Sequence, residues 1–379
     1  MGKGHKGMTS VLKKVNKGLI EYRKRCEEAG FLVEKEAQGE LNELLFAFTK
    51  ECKEWLQEFA YSEHNGDVLQ LYLDCREYLK VAEFYSEQYV TYVEKHGSEV
   101  VVKQLCLNAA ELLRRMMDRG KASILFSATF SPLDYYLSVL GGDEEAKTYC
   151  LPSPFPEGNA LVLIGTYIQT TYYKRESSYL AVAKAVMAMV QAREGNYLVF
   201  FPSYKYMNDV YDIFGEEYPD VKTVVQEGQM NEADRDAFVG QFQSGSGLLG
   251  FCVMGGIFSE GIDLVGDRLI GVAIVGVGLP QMSRERDLIR SYYEQKVGMG
   301  YQFAYQYPGM NKVMQAAGRV IRSEDDKGVI LLLDVRFGRG DYRHLFPEHW
   351  RERRYVRNVV ELEACLRAFW RAAEFNLCD

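Results

Sequence analysis

The chain has 379 residues, of which 47% are hydrophobic and 26% charged, a balance that supports a packed core and excludes wholesale disorder. Because 53 acidic residues outnumber 45 basic ones, the formal net charge is −8, and any nucleic-acid binding therefore needs a local basic patch. The sequence has no apolar run of about 18 residues and no apolar segment near Met1 typical of a secretory signal. We therefore expect a cytoplasmic protein with no membrane span.

Eight cysteines are scattered along the chain with no C-x-x-C pair. A metal site or an iron–sulfur cluster needs clustered thiolates, so this pattern predicts reduced, buried thiols and no metal site. The cysteines are Cys26, Cys52, Cys75, Cys106, Cys150, Cys252, Cys365 and Cys378.

Basic residues cluster twice, and each cluster is either a nucleic-acid patch or a solvated helix face. The two clusters are Lys13, Lys14, Lys17, Arg23, Lys24 and Arg25, and Arg336, Arg339, Arg343, Arg351, Arg353, Arg354 and Arg357.

The first hundred residues show helical periodicity. Apolar residues recur every three or four positions from Leu12 to Cys26, from Leu41 to Phe59 and from Leu71 to Tyr92. The pattern predicts an all-helical region over residues 1–100, in which the tyrosines of the third stripe pack in a helical core or, less favoured, stack nucleic-acid bases. A fourth stripe, from Val102 to Met116, predicts one more helix that ends at Gly120.

From residue 123 onward, short apolar runs alternate with helical patterns. Such alternation is typical of a parallel sheet covered on both faces, so the expected fold class is α/β. The predicted strands are Ser123–Phe126, Leu161–Thr166, Tyr197–Phe201, Thr223–Gln226, Leu248–Met254, Leu269–Val275 and Val329–Val335. The predicted helices between them include Tyr179–Arg193, Asn231–Phe242 and Asn311–Ile321.

The segment Gln315-Ala-Ala-Gly318-Arg319-Val-Ile-Arg322 is the strongest functional pattern in the chain. On a continuous helix its polar residues fall at positions i, i+3, i+4 and i+7, and they therefore share one face. Gly318 weakens a helix and leaves room for a ligand between two arginines. Because a guanidinium group binds phosphate oxygens bidentately, the pattern predicts a phosphate site. The less favoured alternative is an amphipathic helix with incidental arginines.

A glycine-rich turn, Gly256-Ile-Phe-Ser-Glu260-Gly261-Ile-Asp263, follows the predicted strand Leu248–Met254. Open α/β sheets bind ligands at the carboxyl ends of their strands, and glycines permit close approach of a sugar–phosphate backbone. Alone, the turn is a weak indication. It gains weight because it lies about 60 residues ahead of the arginine segment.

The arginine segment resembles the sixth motif of superfamily 2 helicases, Q-x-x-G-R-x-x-R, and the glycine-rich turn resembles the fifth. Leu198–Tyr204, a strand that ends in a Pro-Ser turn, is similar to the fourth motif, and Asp334-Val-Arg336-Phe337 after the last strand also fits. Ser127-Ala-Thr-Phe-Ser-Pro132 is similar to the third motif, in the form that resembles the XPD/DinG branch. The resemblance implies a RecA-like parallel sheet with helices on both faces, preceded by an all-helical region.

The resemblance also implies domain boundaries and residue roles. Residues 1–100 would form an arch-like helical region, 101–135 the end of a first motor domain and 136–379 a second RecA-like motor domain. Arg319 and Arg322 would be catalytic residues that reach the γ-phosphate of ATP, and Gln315 would position the attacking water or a phosphate oxygen. The other implied residues are Gly318, Glu260, Gly261 and Asp263 for ATP binding, Ser203, Tyr204, Gly256 and Ser259 for DNA binding, and Ser127 and Thr129 for coupling.

Two motifs of that family are missing from the sequence, the phosphate loop G-x-x-x-x-G-K-[ST] and a strand-borne Asp-Glu-Ala-His. The family's four-cysteine cluster is missing as well. We therefore expect a fragment of a 5′-to-3′ DNA helicase that is inactive alone and binds no cofactor by itself. ATP and Mg²⁺ would belong to the complete enzyme, and the partners would be single-stranded DNA and the missing first motor domain.

Two other hypotheses stay open. One is a naturally shortened, non-catalytic module that binds DNA or protein and has kept the motor fold. The other is a nucleotide-dependent small-molecule enzyme, which rests only on Gly276-Val-Gly278-Leu-Pro280. That run lacks the last glycine of the dinucleotide fingerprint and has a proline where a helix would begin. The helicase hypothesis is favoured over both.

Overall fold

The computed structural model describes residues 6–26, 30–256, 258, 261 and 264–375. The chain divides into two compact units. The first unit comprises Met1–Ser123 and Leu137–Glu144, and the second comprises Ile124–Tyr136 and Glu145–Asp379. Among the helices of the described residues, none has both the length and the apolar character needed to cross a membrane.

The first unit combines helices with a small antiparallel sheet. Its helices are α1 (Lys6–Arg25), α2 (Gly39–Glu58), α3 (Asn65–Ala82) and α4 (Ala110–Met117), and its strands are β1 (Phe31–Glu34), β2 (Tyr89–His96) and β3 (Glu99–Cys106). The apolar stripe of α2 forms the centre of a helical core, because Phe48, Cys52 and Trp55 are buried with Met8 of α1 and Val68 of α3. The predicted helical N-terminal region is thereby confirmed.

Two parts of that region differ from the predicted all-helical structure. Phe31–Glu34 forms strand β1, which pairs with β2. The segment Tyr89–Cys106 was expected to be helical, but it forms the antiparallel hairpin β2–β3, whose turn is Gly97-Ser98 with φ of 62° at Gly97. The first five residues of β2, Tyr89–Val93, are all buried. A strand buried in this way lacks the alternation by which half-buried strands are recognised, and only its β-branched and aromatic residues indicate a strand.

The second unit is built on a seven-stranded parallel sheet with the strand order β10-β4-β9-β8-β5-β7-β6. The strands are β4 (Ala160–Gly165), β5 (Tyr197–Phe201), β6 (Thr223–Val225), β7 (Leu249–Val253), β8 (Gly271–Val275), β9 (Gly328–Leu333) and β10 (Arg354–Val356). The helices are α5 (Leu133–Val139), which extends into the first unit, α6 (Tyr179–Ala192), α7 (Tyr204–Glu217), α8 (Glu232–Gly240), α9 (Arg284–Val297), α10 (Tyr307–Ala317), α11 (Gly340–Arg343) and α12 (Val359–Phe375). A π-helical segment, Gln302–Gln306, leads into α10.

The central strands are apolar throughout and wholly buried, as expected where helices flank a parallel sheet. Alternate strand residues such as Val199 and Phe251 pack with α6, α7 and α12 in one buried cluster. Helix α10 lies against the end of β8, where Gly278 and Gly309 meet. A β-carbon at Gly278, whose φ is 65°, would lie 2.5 Å from the carbonyl oxygen of Gly309. Glycine at this contact therefore fixes how α10 approaches the sheet.

Six of the seven predicted strand segments contain strands, and the predicted Tyr197–Phe201 coincides with β5. The exception is Ser123–Phe126, where the predicted strand does not form. Residues 122–127 pair with no strand of the described chain, and Ile124 and Phe126 are 85% and 89% exposed. An apolar run becomes a strand only where a neighbouring strand accepts its hydrogen bonds, and none does so here.

Candidate nucleotide and nucleic-acid sites

All seven strands of the large sheet run in one direction, so the sheet has a carboxyl side, where strands end, and an amino side, where they begin. Ser203 follows β5 and Gly256 follows β7, which places both residues at the carboxyl side. The loop after the arginine segment lies at the amino side. There Asn159, directly before β4, donates from Nδ2 to the carbonyl oxygen of Glu324 at 2.7 Å. The predicted site residues are therefore divided between the two sides of the sheet.

Helix α10 ends at Ala317, before the two arginines. The predicted helical face that would join Gln315 to Arg319 and Arg322 therefore does not form. Gly318, which caps the helix at φ −66° and ψ 0°, is a poor helix former. The backbone N–H groups of the next two residues bond to carbonyl oxygens three positions back, each at 3.3 Å, and this tightens the last turn before the chain leaves the helix.

A buried carboxylate, Asp326, determines the path of the chain beyond the helix. Its Oδ2 accepts the backbone N–H groups of Arg322 at 2.7 Å and Ser323 at 2.8 Å, and its Oδ1 accepts the backbone N–H of Gly266 at 3.1 Å. Asp326 is 6% exposed, so water competes little for these bonds. Residues 318–323, which follow α10 and contain both arginines, form the arginine loop. The carboxylate thus ties this loop to the turn that precedes β8. Sequence analysis missed this residue, although an aspartate within four positions of the loop was a usable signal.

The two arginines are partly exposed. Arg319 donates from Nε to the carbonyl oxygen of Gln315 at 3.3 Å, which keeps its side chain near the end of α10. Burial lowers the pKa of Arg322, and the nearby Asp326 only partly offsets that effect. The guanidinium of Arg322 therefore stands in surroundings that solvate a cation less well than water does, where an anion would be favoured.

At the carboxyl side, Gln226 organises the ends of β5, β6 and β7. This side chain is 4% exposed; its Oε1 accepts the backbone N–H of Val253 at 2.8 Å, and its Nε2 donates to the hydroxyl of Tyr204 at 2.9 Å. A β-carbon at Gly256 would lie 3.5 Å from the same Nε2. Ser203 caps α7 by accepting the N–H of Tyr206 at 3.4 Å. Three predicted DNA-binding residues are thus brought together around a glutamine that sequence analysis placed only at a strand end.

Lys312 of α10 adds a cation to the carboxyl side. Gly255 has φ of 73°, and a β-carbon there would lie 2.9 Å from Cε and 3.0 Å from Nζ of Lys312. Glycine at this position leaves room for the lysine to lie over the turn after β7. The sequence analysis assigned no role to this lysine.

The remaining predicted residues are placed as follows. Ser259, Glu260 and Asp263 lie outside the described residues, and Gly261 is exposed. Ser127 is exposed and Thr129 is partly exposed, and the two residues contact each other: the backbone N–H of Thr129 donates to the hydroxyl of Ser127 at 3.1 Å.

Asp334 and Arg336, directly after β9, form a buried ion pair. The guanidinium donates from Nε to Oδ1 at 2.8 Å and from Nη2 to Oδ2 at 2.9 Å, and the hydroxyl of Thr170 donates to the same carboxylate. The side chain of Asp334 is fully buried and that of Arg336 is 14% exposed. Burial alone would lower the pKa of Arg336, but Asp334 outweighs it and the pKa is raised. The geometry makes this pair structural.

The family model described as "Helicase C-terminal domain" matches residues 186–353. The chain is 26% identical over 304 residues to "ATP-dependent DNA helicase CHL1" of Coccidioides immitis, covering 68% of the chain and 35% of that protein. It is 24% identical over 270 residues to "General transcription and DNA repair factor IIH helicase subunit XPD" of Schizosaccharomyces pombe, covering 65% and 34%. The chain thus spans about a third of the length of these relatives.

Two solved structures show the same fold. "XPD_APO" aligns with a TM-score of 0.56 and 17% identity, covering 93% of the chain and 72% of that structure. "Structure of S. tokodaii Xpd4" aligns with a TM-score of 0.54 and 16% identity, covering 86% and 62%. The predicted RecA-like fold is confirmed. Together with the sequence relatives, these likenesses agree with the predicted similarity to the C-terminal half of an XPD/DinG-type superfamily 2 helicase.

Proposed function

We propose that the chain is the second motor half of an ATP-dependent DNA helicase that hydrolyses ATP between two RecA-like domains and moves 5′ to 3′ along single-stranded DNA. Arg319 and Arg322 stabilise the charge that develops on the γ-phosphate, and Gln315 positions the attacking water or a phosphate oxygen. Gly318, Glu260, Gly261 and Asp263 complete this half of the nucleotide site. The relatives named ATP-dependent DNA helicases support this proposal.

The observation that carries the proposal is the way Arg322 is held. Its backbone is fixed by Asp326, while its guanidinium is partly buried and has a lowered pKa. Partial burial lowers the local dielectric constant and so strengthens the attraction between a cation and an anionic ligand. A phosphoryl group matches the guanidinium in charge and in hydrogen-bond geometry. Fixing the backbone in advance lowers the ordering cost of that contact.

DNA binding belongs, in this proposal, to the other side of the sheet. Ser203, Tyr204 and Gly256, together with Ser259, contact the sugar–phosphate backbone, so binding is weak, salt-sensitive and indifferent to sequence. Helix α10 connects the two sides, since Lys312 lies at the turn after β7 and the arginine loop follows the end of the same helix. Such a rigid element is suited to couple nucleotide state to DNA, with Ser127 and Thr129 contributing from the third motif.

The proposal requires a first motor domain. The chain's own sequence contains neither a phosphate loop nor Asp-Glu-Ala-His, the residues that cradle the phosphates and hold Mg²⁺. ATP and Mg²⁺ are therefore cofactors of the complete enzyme. The exposed Ile124 and Phe126, next to the third motif, support the same view, because an apolar run of strand-forming residues is suited to join the sheet of another domain.

The test is ATP turnover with and without the first motor domain. We expect none from the purified chain and DNA-stimulated turnover from a protein that carries both motor domains. In that protein Arg319→Ala or Arg322→Ala should lower turnover by about 10³–10⁵-fold, as for arginine fingers elsewhere. Arg351→Ala, at an exposed arginine paired with Glu348, is the matched control and should leave turnover unchanged.

Two outcomes would contradict the proposal. Steady turnover by the isolated chain, lost on Arg322→Ala, would mean that no first motor domain is needed. Full turnover by the two-domain protein carrying both arginine substitutions would show that Arg319 and Arg322 are not catalytic residues.

A further inference from the structure

The loop Gln169–Ser178, between β4 and α6, presents two adjacent aromatic rings to solvent. Tyr172 is 78% exposed and Tyr173 is 94% exposed, with ring centroids 5.6 Å apart. Lys174 follows them in the same 3₁₀ turn and is also exposed. We call this segment the aromatic loop. Exposing two neighbouring aromatic rings to water is unfavourable, and a ligand that covers them would remove this cost.

The aromatic loop is anchored on both sides of the tyrosines. Thr170, which is 2% exposed, bonds through its N–H (3.3 Å) and its hydroxyl to the buried carboxylate of Asp334. At the other end, the hydroxyls of Ser178 and Tyr206 lie 2.6 Å apart. The two exposed rings therefore stand on a fixed base, which lowers the conformational entropy that a ligand must remove on binding.

The aromatic loop adjoins the candidate DNA-binding residues of the carboxyl side. Tyr206 lies in the first turn of α7, two residues after Tyr204. The guanidinium of Arg175 lies 4.7 Å from the ring centroid of Tyr206 and 5.8 Å from that of Tyr172, so one cation links the two segments.

A shallow cavity of about 270 Å³ opens at the aromatic loop, and Lys174, the residue after the two tyrosines, is among its lining residues. Its lining is mostly polar and includes Gln169, Lys174 and Ser177. A ligand that stacks on the tyrosines therefore meets a lysine and hydrogen-bonding groups within the same loop. That combination suits a base attached to a sugar and a phosphate.

We propose that the aromatic loop is a binding site for single-stranded DNA, in which bases stack on Tyr172 and Tyr173 and Lys174 contacts a phosphate. This inference rests on the proposed function, which brings a DNA strand to the carboxyl side. Aromatic rings beside cations are the general means by which proteins hold single strands without regard to sequence. A protein-docking patch would be contiguous and apolar at its centre, whereas these rings are flanked by Thr171, Lys174 and Glu176.

The experiment measures the affinity of the full chain for fluorescent oligothymidylate by anisotropy at several salt concentrations. Tyr172→Ala and Tyr173→Ala should each weaken binding by about 5- to 150-fold, the effect of one lost stacking contact, without changing the salt slope. Tyr173→Trp should retain binding, because a larger ring can still stack. Lys174→Gln should reduce the slope of log affinity against log salt by about 0.7, the value for one phosphate contact.

Tyr61→Ala is the matched control, since Tyr61 is fully exposed in the first unit. If the wild-type chain does not bind the oligonucleotide at any salt concentration, the DNA-binding part of the proposed function fails. If the wild type binds and Tyr204→Ala weakens binding while both aromatic-loop alanines bind normally, this inference alone is overturned. An equal loss in Tyr61→Ala, or a Tyr173→Trp as weak as Tyr173→Ala, would also overturn it. If the loop binds a protein instead of DNA, all loop variants will bind DNA as tightly as the wild type does, and the inference is overturned.

Discussion

Two buried aspartates near β9 have different hydrogen-bond donors. Both carboxylate oxygens of Asp334 accept hydrogen bonds from the guanidinium of Arg336. The oxygens of Asp326 instead accept hydrogen bonds from backbone N–H groups, including that of Arg322. The first aspartate neutralises an arginine, while the second fixes the chain that carries one.

The pKa directions of the two arginines follow from this difference. Burial would lower the pKa of Arg336, but its direct partner Asp334 outweighs burial and raises it. At Arg322 burial outweighs the more distant effect of Asp326, and the pKa is lowered. A carboxylate in direct contact with a guanidinium thus makes a structural element. One engaged by backbone amides fixes the chain that carries the arginine.

The largest expected effect of this difference is at Arg336. Arg336→Ala leaves the buried carboxylate of Asp334 without its cation and should lower the free energy of unfolding by about 3–5 kcal/mol. Urea unfolding of the isolated chain measures this. Arg351→Ala, which breaks an exposed ion pair, should cost less than about 1 kcal/mol.

The double variant Asp334→Ala/Arg336→Ala makes that prediction specific. Because neither charge is then left alone in the core, its loss of stability should be clearly smaller than the sum of the two single losses. Additive losses would mean that the two side chains do not stabilise each other, and the structural role given to the pair would be wrong.

An intermediate effect is expected at Asp326. Asp326→Ala leaves three backbone donors without their acceptor, and we expect a loss of about 2–3 kcal/mol in the free energy of unfolding. Asp326→Asn keeps one acceptor oxygen and should lose about half as much. In the two-domain enzyme Asp326→Asn should also lower ATP turnover, since the arginine loop is no longer fixed. Normal turnover in Asp326→Asn would show that this carboxylate does not position Arg322.

Much of the fold could be predicted because its strands are buried on both faces. Tyr197–Phe201 is an uninterrupted apolar run bounded by turn residues, and it coincides with β5. The same property made the prediction for Tyr89–Val93 wrong, because a fully buried strand shows no alternation and the tyrosine spacing is also compatible with a helix. Ile124–Phe126 shows the converse, because an apolar run forms no strand when its hydrogen-bonding partner is not supplied.

The candidate sites were predictable in residue type but not in geometry. The arginine motif is visible in the sequence, yet its placement on a helical face was wrong, because Gly318 ends the helix and Asp326 redirects the chain. Gln226 and Thr170 act through partners far away in sequence, which no local spacing reveals. The exposure of Tyr172 likewise depends on the tertiary structure.

The smallest expected effect on stability is at Arg322 itself. Arg322→Ala removes a partly exposed side chain, while the bonds of Asp326 to the backbone remain because they involve the N–H of residue 322 and not its side chain. We therefore expect a change of less than about 1 kcal/mol in the free energy of unfolding, the range typical of partly exposed charges. Urea unfolding of Arg322→Ala beside Arg336→Ala gives the direct contrast, and the same Arg322→Ala should abolish most turnover in the two-domain enzyme. A loss of 3 kcal/mol or more, similar in size to that of Arg336→Ala, would make Arg322 structural. The amino side of the sheet would then lose its assignment as the nucleotide site.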